Sequence, residues 1–457
     1  MLPRNEDTIT SVSSGQGQSA IAVIRISGEK SSPILERIFA DNKPKKHPRT
    51  VFNGWVKDPT TGNIIDQVMA VYFKAPHTFT GEDIVEIYCH GGLLIIRKII
   101  EQILKNGARL ADRGEFSKRA FLNGKMDLVQ AEAIVEAISA KTSYGLESAM
   151  DRIDGKLSKK VREIKDVLEQ TLMKIEASTD FPDDINEPEK DGLLQELTLP
   201  ANLCRELLNN AKSGKLLNDG IRVLIIGKPN AGKSSILNAI LKEERAIVTE
   251  IPGTTTDTIE AFLDIGGLPF WFIDTAGIRE PNNKIETLGI KRAIDKIGIT
   301  DIVLAVFDAS EAFGAEDSRV ISEIARVPNR IAILNKSDIK QRLRSEDIPK
   351  TFEHVIKVSA LNGDGIKNLE KAIVDIARTE SDPDAKPAFL GNERQIGLVE
   401  KARASIELAI AATKNETPID MVAIDIKEAL SGISELSGQV VSENIIERIF
   451  AEFCIGK

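Results

Sequence analysis

The residues best suited to chemistry form two short, well separated motifs. Residues 227–234 read G-K-P-N-A-G-K-S, which fits the phosphate-binding pattern G-x-x-x-x-G-K-[ST]. In that pattern backbone N–H groups surround phosphate oxygens, the lysine reaches the β- and γ-phosphates, and the hydroxyl binds Mg²⁺. Residues 335–338 read N-K-S-D after an apolar run, where a carboxylate can accept from guanine N1–H and its exocyclic amine. Together the two motifs predict a guanine-nucleotide site.

Three further segments supply the remaining contacts of such a site. The segment D-T-A-G at 274–277 follows the apolar run P-F-W-F-I, where a carboxylate can hold Mg²⁺ through water and a glycine can approach the γ-phosphate. A turn-rich loop at 253–255 can supply a threonine to the metal, and an N–H at 359–360 can reach guanine O6. The predicted contacts are Asn230, Ala231, Gly232, Lys233, Ser234, Ser235, Gly253, Thr254, Thr255, Asp274, Thr275, Ala276, Gly277, Asn335, Lys336, Asp338, Ser359 and Ala360.

The position after D-T-A-G bears on hydrolysis. Many small signalling GTPases place a water-orienting glutamine there, but this chain has Ile278. Arg279, Glu280 and Glu286 lie just beyond it, and Glu286 could orient the attacking water. Phosphate binding does not require an asparagine at position 230. The side-chain oxygen of Asn230 could therefore hold a monovalent cation that neutralises the negative charge developing during hydrolysis.

The surrounding sequence predicts the elements that position these motifs. Apolar runs at 222–226, 270–273, 302–307, 331–334 and 355–358 alternate with helical segments, which is typical of a doubly wound parallel sheet. The first run leads into the phosphate loop, and residues 235–241 predict a helix after it. The loop therefore lies between a strand and a helix, the arrangement that binds phosphate.

The rest of the chain predicts a multidomain protein. Short strands at 21–26, 68–73 and 84–88 and a helix at 93–104 indicate an N-terminal α+β unit. Apolar residues three or four apart from Leu157 to Ile175 predict a long bundle helix that ends at 180–184. A helical sequence pattern begins again at Ile396. We expect an α+β domain at 1–123, one helical domain split between 124–217 and 384–457, and an inserted α/β phosphate-loop domain at 218–383.

Composition excludes some classes of protein. The formal net charge of −9 and a pI near 5.4 argue against a protein that coats nucleic acid through bulk charge. The basic segment 41–49 is expected to be a solvated loop, with a nucleic-acid contact as the alternative. No secretory signal or membrane-length apolar window is present, and three scattered cysteines suit a reducing compartment, so a cytoplasmic protein is expected.

The combined motifs resemble the MnmE (TrmE) family of tRNA-modification GTPases over essentially the full length. The resemblance rests on the nucleotide motifs, T-F-T-G-E-D at 78–83, G-E-F-S-K-R-A-F-L-N at 114–123, D-F-P at 180–182 and the terminal C-I-G-K. Thr256 departs from the family, which often has arginine in G-T-T-R-D. Any role of that arginine is therefore in doubt for this chain.

The resemblance implies site residues beyond those that the motifs predict. It implies an extended set of nucleotide contacts at Thr249, Glu250, Ile251 and Pro252, a K⁺ site at Asn230, Thr249, Ile251 and Thr254, and Mg²⁺ at Ser234 and Thr255. It also implies Glu286 as the water-orienting catalytic carboxylate. A tetrahydrofolate derivative, in the 5,10-methylene or 5-formyl form, is implied at Arg25, Glu86, Lys125 and Lys457. The pterin resembles guanine in its donor edge, so a carboxylate such as that of Glu86 suits it.

The resemblance also implies partners. Members of the family are homodimers through the N-terminal domain, and their nucleotide domains dimerise across K⁺ with hydrolysis coupled to modification. They act with the FAD-dependent partner MnmG (GidA), in a heterotetramer or larger assembly, on certain tRNAs. The implied reaction adds a carboxymethylaminomethyl or aminomethyl group at C5 of the wobble uridine, position 34.

Two alternatives remain from the residues alone. One is a ribosome-assembly or translation GTPase without one-carbon chemistry, although residues 388–457 show no RNA-binding aromatic signature and no G-x-x-G loop in a suitable fold. The other is a structural dimeric GTPase that recruits a partner. Binding of a reduced folate would separate the second alternative from a one-carbon enzyme.

Overall fold

A computed structural model of the 457-residue chain describes residues 7–15, 17–39, 43–140, 143–243, 260–273, 300–380, 390–454 and 456. The chain divides into two compact units. One contains 1–135, 152–201 and 398–457, and the other contains 136–151 and 202–397. The expected domain boundaries remain predictions, since this division joins the N-terminal sheet and much of the helical region in one unit.

The first unit begins with a six-stranded sheet. Its strands are β1 (Thr8–Val12), β2 (Ser19–Ser27), β3 (Phe52–Lys57), β4 (Ile64–Phe73), β5 (Ile84–Gly91) and β6 (Ala108–Leu110), in the order β3-β4-β5-β2-β1-β6. All neighbours are antiparallel except β1 and β6. The strands predicted at 21–26, 68–73 and 84–88 are confirmed as parts of β2, β4 and β5.

Helices cover one face of this sheet because the strands alternate apolar and polar side chains. The helices of this region are α1 (Ser31–Ile38), α2 (Lys43–Lys46), α3 (Leu93–Lys105) and α4 (Glu115–Leu122), and α1 and α3 lie on that face. Buried Ile34 and Ile99, from α1 and α3, pack with Ile24 and Ile87 of the central strands. Each such side chain contributes roughly 1.5–3 kcal/mol by leaving water. Residues of opposite parity on β2 and β5, including Arg25 and Glu86, therefore lie on the other face.

The helical part of the chain, over the described ranges, comprises seven helices. They are α5 (Leu128–Ser139), α6 (Ser143–Ile153), α7 (Lys156–Asp180), α8 (Lys190–Asp219), α12 (Glu393–Lys414), α13 (Ile419–Ser437) and α14 (Glu443–Ala451). The bundle helix predicted from the apolar stripe is α7, and it ends at the predicted D-F-P turn. Within the first unit α13 packs along α7, and α14 packs against α4 through buried Phe450. Sequence-distant helices thus share one core.

The second unit is built on a second six-stranded sheet. Its strands are β7 (Ile221–Gly227), β8 (Glu260–Ile265), β9 (Leu268–Ile273), β10 (Ile302–Asp308), β11 (Asn329–Asn335) and β12 (His354–Lys357), in the order β12-β11-β10-β7-β9-β8. The five predicted strands are confirmed and are mutually parallel. Strand β8, which was not predicted, adds an antiparallel edge through a hairpin with β9.

Helices lie on both faces of the second sheet, as a doubly wound fold requires. They are α9 (Lys233–Glu243), α10 (Ala315–Glu323) and α11 (Ile366–Glu380). Residues of α9 and α11 share a core with Val223 and Leu304, whereas α10 packs on the opposite face with Leu224 and Val303. Helix α9 begins two residues before the predicted start, so the motif lysine is its first residue.

Two further predictions concern the basic segment 41–49 and membrane-spanning segments. The segment predicted as a solvated loop contains the short helix α2, whose Pro44 is buried, although its basic side chains are exposed. None of the helices in the described ranges is long and apolar enough to cross a membrane.

Candidate functional site

The phosphate loop joins β7 to α9 and has the backbone geometry of an anion cradle. Asn230 and Gly232 have left-handed φ values of 61° and 93°, which aim successive N–H groups into the loop. Lys233 Nζ donates to the carbonyls of Gly227 and Lys228 at 3.0 and 2.9 Å, so its ammonium is held across the loop. A phosphate bound here would meet the N–H groups at the N-terminus of α9.

Ser234 and Ser235 complete this end of the cradle in the first turn of α9. Ser234 is half-buried and Ser235 is exposed, so a bound phosphate and its cation can reach them. A serine hydroxyl at this position suits Mg²⁺, which prefers oxygen ligands and phosphates. The geometry fits the predicted Mg²⁺ role of Ser234.

The carboxyl ends of the parallel strands bring the second motif to the phosphate loop. Asn335, the last residue of β11, is 2% exposed. Its Nδ2 donates to the carbonyl of Ala231 at 2.8 Å, and its Oδ1 accepts from the N–H of Ala360 at 3.2 Å. A Cβ on Gly232 would lie 2.1 Å from the same Nδ2, so this contact requires glycine. Asn335 therefore fixes three loops to one another.

The guanine-reading end is ordered by a second pair of side chains. Ser359 Oγ donates to Asp338 Oδ1 at 2.6 Å, which leaves Oδ2 as an acceptor for a base edge. The N–H groups of Ser359 and Ala360 donate to Asp364 O and Asn335 Oδ1. Contact of either N–H with guanine O6 remains a prediction, and it requires that donor to be shared.

Lys336, the second residue of N-K-S-D, extends over the end of β10. Its φ is 62°, and its Nζ donates to Asp308 Oδ2. Burial raises the pKa of Asp308, but hydrogen bonds from Lys336 and Ser310 outweigh that effect and hold the pKa below its usual value. Asp308 therefore stays ionised and holds the Lys336 ammonium beside the predicted guanine site.

One contact of the loop was missed by sequence reasoning. Lys228 Nζ, with a side chain only 11% exposed, lies 2.7 Å from Glu311 Oε2 and 3.6 Å from Asp317 Oδ2. Burial lowers the pKa of Lys228, but Glu311 and Asp317 outweigh that effect and raise it. A lysine in the variable part of the motif gave no signal of these partners, because they are more than eighty residues away.

Several predicted residues lie outside the described residues. They are Thr249, Glu250, Ile251, Pro252, Gly253, Thr254, Thr255, Asp274, Thr275, Ala276, Gly277, Ile278, Glu286 and Lys457. The predicted roles of these residues in K⁺, Mg²⁺, water and folate binding stay predictions.

The first unit contains the second candidate site, on the sheet face opposite α1 and α3. Arg25 and Glu86 are directly paired across β2 and β5, with Arg25 Nε and a terminal nitrogen 2.9 and 2.8 Å from Glu86 Oε1. Tyr88 Oη donates to Glu86 Oε2 at 2.7 Å. The rings of Phe79 and Phe116 lie 5.5 and 5.7 Å from the Arg25 guanidinium. The result is a half-buried ion pair framed by aromatic rings.

Of the other two residues predicted for this site, the structure describes Lys125 but not Lys457. Lys125 Cε lies 3.0 Å from where a Cβ on Gly81 would be, which places the lysine beside the 78–83 loop. The carbonyl of Gly456 accepts from Ser13 Oγ at 3.0 Å. Ser13 follows β1, whose Ser11 pairs with Arg25, so the chain next to Lys457 reaches this sheet.

A charged network supports the loop that carries Phe79. Arg119, 4% exposed, donates to Glu82 at 3.2 Å, to Glu115 at 2.9 Å and to Asp7 at 2.7 Å. Arg109 donates to the same Glu115. Burial raises the pKa of Glu115, but Arg109, the Asp112 N–H and Arg119 outweigh it and hold the pKa low. The network ties α4 to the 78–83 loop.

Comparisons with known proteins cover both units. The family described as "GTP-binding protein TrmE N-terminus" matches residues 8–125, and "MnmE helical domain" matches 128–454. The chain is 40% identical to "tRNA modification GTPase MnmE" of Alkaliphilus metalliredigens and 39% identical to that of Geobacillus kaustophilus. Each match covers 99% of both chains.

Solved structures resemble the chain over a smaller part. The G domain of the T. maritima FeoB iron transporter matches at 24% identity, covering 34% of this chain and 98% of that one, with a TM-score of 0.28. A variant of Aquifex aeolicus Era bound to GDP.AlF4- matches at 23% identity, covering 41% and 67%, with a TM-score of 0.27. Both TM-scores are low, so these matches add nothing to the sequence matches.

Proposed function

Because the chain belongs to the MnmE (TrmE) family of tRNA modification GTPases, we propose that its two sites have different functions. The chain is a GTP-hydrolysing enzyme of tRNA modification. In the proposal, the phosphate-loop unit hydrolyses GTP with Mg²⁺ and K⁺, and the N-terminal sheet holds a tetrahydrofolate derivative. The one-carbon unit contributes to a carboxymethylaminomethyl or aminomethyl group at C5 of the wobble uridine.

The observation that carries the nucleotide half is the Asn335 bridge between the phosphate loop and N-K-S-D. This bridge supports a single nucleotide site in which the Asp338 carboxylate would read guanine and the Lys233 ammonium would meet the phosphates. Ser234 and Thr255 are proposed to hold Mg²⁺, which supplies charge neutralisation when bound. GTP is the substrate that this arrangement fits.

The K⁺ proposal rests on Asn230 and on Ile278. Asn230 has a left-handed backbone and an exposed side chain, and isoleucine at position 278 has no polar side-chain atom to orient water. We propose that Asn230, Thr249, Ile251 and Thr254 hold K⁺ at an interface between two nucleotide domains. Glu286 would orient the attacking water.

A cation comparison tests this proposal. GTP turnover of the full chain is measured in KCl and in NaCl at equal ionic strength, and we expect it to be at least several-fold faster in KCl. Asn230→Gly keeps the left-handed backbone but removes the amide, so it should reduce the difference between the two salts. Equal turnover of the wild-type protein in both salts would reject the K⁺ role and leave GTP hydrolysis intact.

The folate proposal rests on the half-buried Arg25–Glu86 pair. Glu86 Oε1 is occupied by two nitrogens of Arg25, whereas Oε2 keeps a lone pair after accepting from Tyr88, so the carboxylate can also accept from the donor edge of a pterin. Burial and the bond to Glu86 raise the pKa of Tyr88 to about 12, so its hydroxyl stays a donor. Lys125 and Lys457 are proposed to meet the carbonyl or the glutamate tail.

Equilibrium binding of 5-formyltetrahydrofolate tests the folate site. We expect Glu86→Gln to weaken binding at least tenfold, because the neutral amide loses the charged acceptor. The control is Glu101→Gln, since Glu101 is an exposed member of a surface pair with Arg97. Binding that is equal in all three proteins would place the ligand elsewhere, and no binding at all would leave the sheet as scaffold.

The remaining parts of the proposal concern assembly. We propose a cytoplasmic homodimer that acts with an FAD-dependent MnmG partner on tRNA. Family membership favours this assignment over a ribosome-assembly or recruiting switch. Reconstitution with the partner, GTP, the folate and unmodified tRNA should yield the modified nucleoside, detected by mass spectrometry after digestion. Product formation without this chain would contradict the proposal.

A further inference from the structure

An exposed group of basic side chains lies at one edge of the N-terminal sheet. We call Lys43, Lys46, His47, Arg49 and Lys74 the basic edge; all five are exposed. Residues 43–57 contain no aspartate or glutamate, although the whole chain has a net charge of −9. The local sign of charge is therefore opposite to that of the protein.

The basic edge is held in a fixed conformation. Pro44 is buried and anchors α2 against the sheet. The N–H of Arg49 donates to Tyr72 O at 2.8 Å, and the Arg49 guanidinium donates to His77 O and lies 5.9 Å from the Phe73 ring. Arg49 thus joins α2 to the segment that carries Lys74. A rigid cationic surface binds with a smaller entropic cost than a flexible tail.

An acid of α1 lies beside this surface. Lys45, between two residues of the basic edge, pairs with Glu36 at 3.0 Å. In the part of the chain that the structure describes, no ion pair is found for Lys46, Arg49 or Lys74. These cations remain available to an external anion.

The basic edge adjoins the proposed one-carbon site. His77, which accepts from Arg49, is two residues from Phe79, and the Phe79 ring lies 5.5 Å from the Arg25 guanidinium. Phe79 is itself 39% exposed, so part of its ring can contact a base. A polyanion on the basic edge would therefore lie beside the Arg25–Glu86 pair.

We infer that the basic edge binds the phosphate backbone of the substrate tRNA and holds it next to this site. The inference rests on the proposed function, because it assumes that tRNA is the substrate. An RNA fits the exposed lysine and arginine side chains of the basic edge because its backbone is a regular polyanion, and the exposed ring of Phe79 lies nearby to stack on a base. Lysine and arginine contacts to phosphate position a nucleic acid without reading its sequence.

A salt titration tests the inference on the full chain. The probe is a fluorescently labelled unmodified tRNA transcript with uridine at the wobble position, and anisotropy gives its affinity across a KCl series. Lys43→Glu, Lys46→Glu and Lys74→Glu are combined in one variant. We expect at least a tenfold loss of affinity at low salt and a slope of log K against log[salt] that is smaller by roughly 2–3.

Two controls separate this effect from bulk charge and from misfolding. The combination Lys350→Glu, Lys367→Glu and Lys371→Glu makes the same charge change on exposed lysines of the other unit, and it should leave the slope nearly unchanged. The milder Lys46→Ala and Lys74→Ala pair should lower the slope by about 1–2. Turnover of GTP without tRNA should be the same in all variants.

Each alternative result has a definite meaning. If the two triple variants lose affinity equally, or if neither does, the inference is wrong. A variant that loses modification but keeps tRNA affinity would assign the basic edge to a protein partner and would also overturn the inference. Wild-type protein that binds no tRNA would contradict both the inference and the tRNA part of the proposed function, whereas wild-type binding matched by the variant contradicts the inference alone.

Discussion

Asn335 Nδ2 donates to the carbonyl of Ala231 at 2.8 Å and so joins the guanine-reading loop to the phosphate loop. The amide is 2% exposed, and its Oδ1 is also used, by the N–H of Ala360. Asparagine suits this position because one side chain supplies both a donor and an acceptor. The base and phosphate ends of the nucleotide site are therefore held at a fixed separation before any ligand binds.

The first prediction concerns this bridge. Asn335→Ala removes both bonds and should weaken GDP binding by about 1–3 kcal/mol, since a buried donor or acceptor is left unpaired. Asn335→Asp keeps an acceptor for Ala360 but sets a carboxylate against the Ala231 carbonyl. Its affinity should fall as pH rises, because only the protonated acid can donate to that carbonyl.

Titration with a fluorescent GDP analogue between pH 5 and 8 measures both effects. The wild-type protein and Asn335→Ala serve as controls for pH effects on the nucleotide itself. Affinity of Asn335→Asp that is independent of pH, or that equals wild type, would show that the bridge does not position the loops.

The second prediction concerns guanine specificity. Asp338→Asn should weaken GTP binding by roughly 1.5–3 kcal/mol, the usual value of a hydrogen bond to a charged group. It should favour xanthosine triphosphate, whose base presents an acceptor where guanine has its amine. Competition binding with both nucleotides measures the exchange of preference. Glu346→Gln, which removes an exposed carboxylate of the same unit, should change neither affinity; unchanged GTP preference in Asp338→Asn would refute the assignment.

The local structure of the phosphate loop could be predicted from the sequence because its residues are contiguous. A strand, a glycine loop and a helix follow one another, so local sequence determines that Lys233 and Ser234 lie at a helix N-terminus. The Arg25–Glu86 pair is different, since it joins residues 61 positions apart through the register of β2 and β5. Those residues were predicted by family resemblance, and nothing in their local sequence indicates that they touch.

Strand β8 and the partners of Lys228 could not be predicted from the sequence, because both depend on tertiary contacts. Strand β8 pairs only with β9, and its mixed run E-A-F-L-D-I alternates too weakly to predict an edge strand. The partners of Lys228 come from a loop and a helix that follow the neighbouring strand β10, more than eighty residues later in the chain. Tertiary contacts of this kind depend on sheet order, which local patterns do not determine.

The third prediction concerns Lys228 as a positioning residue. The carbonyl of Lys228 accepts from Lys233 Nζ, and the Lys228 ammonium pairs with Glu311 and Asp317. Together these contacts hold the start of the phosphate loop in place. Lys228→Met should raise the dissociation constant for GTP by a factor of about 5–30, equivalent to one or two kcal/mol.

Lys228→Arg tests whether charge alone is sufficient, and it should recover most of the affinity because it keeps a donor toward both acids. Lys350→Met removes an exposed lysine of the same unit and should have no effect. A Lys228→Met protein with normal nucleotide affinity, or with equally poor affinity in Lys228→Arg, would show that this contact does not position the loop.

The last prediction concerns the pH dependence of the α4 region. The pKa of Glu115 is lowered from 4.5 in the folded protein, so its ionised form stabilises the fold above about pH 4.5, and that contribution is lost as pH falls through the folded pKa. Glu115→Gln should therefore destabilise α4 strongly at neutral pH and progressively less in acid. Arg109 and Arg119 lose a buried partner in this variant, which adds to the destabilisation at neutral pH.

Hydrogen exchange followed by mass spectrometry measures this locally, in peptides from 107–124, and avoids treating a multidomain chain as a single unfolding unit. The wild-type protein should lose protection toward the value of Glu115→Gln as pH falls. Glu101→Gln, from an exposed pair, should follow wild type throughout. If the difference between wild type and Glu115→Gln is the same at every pH, the protection of α4 does not depend on the ionised carboxylate.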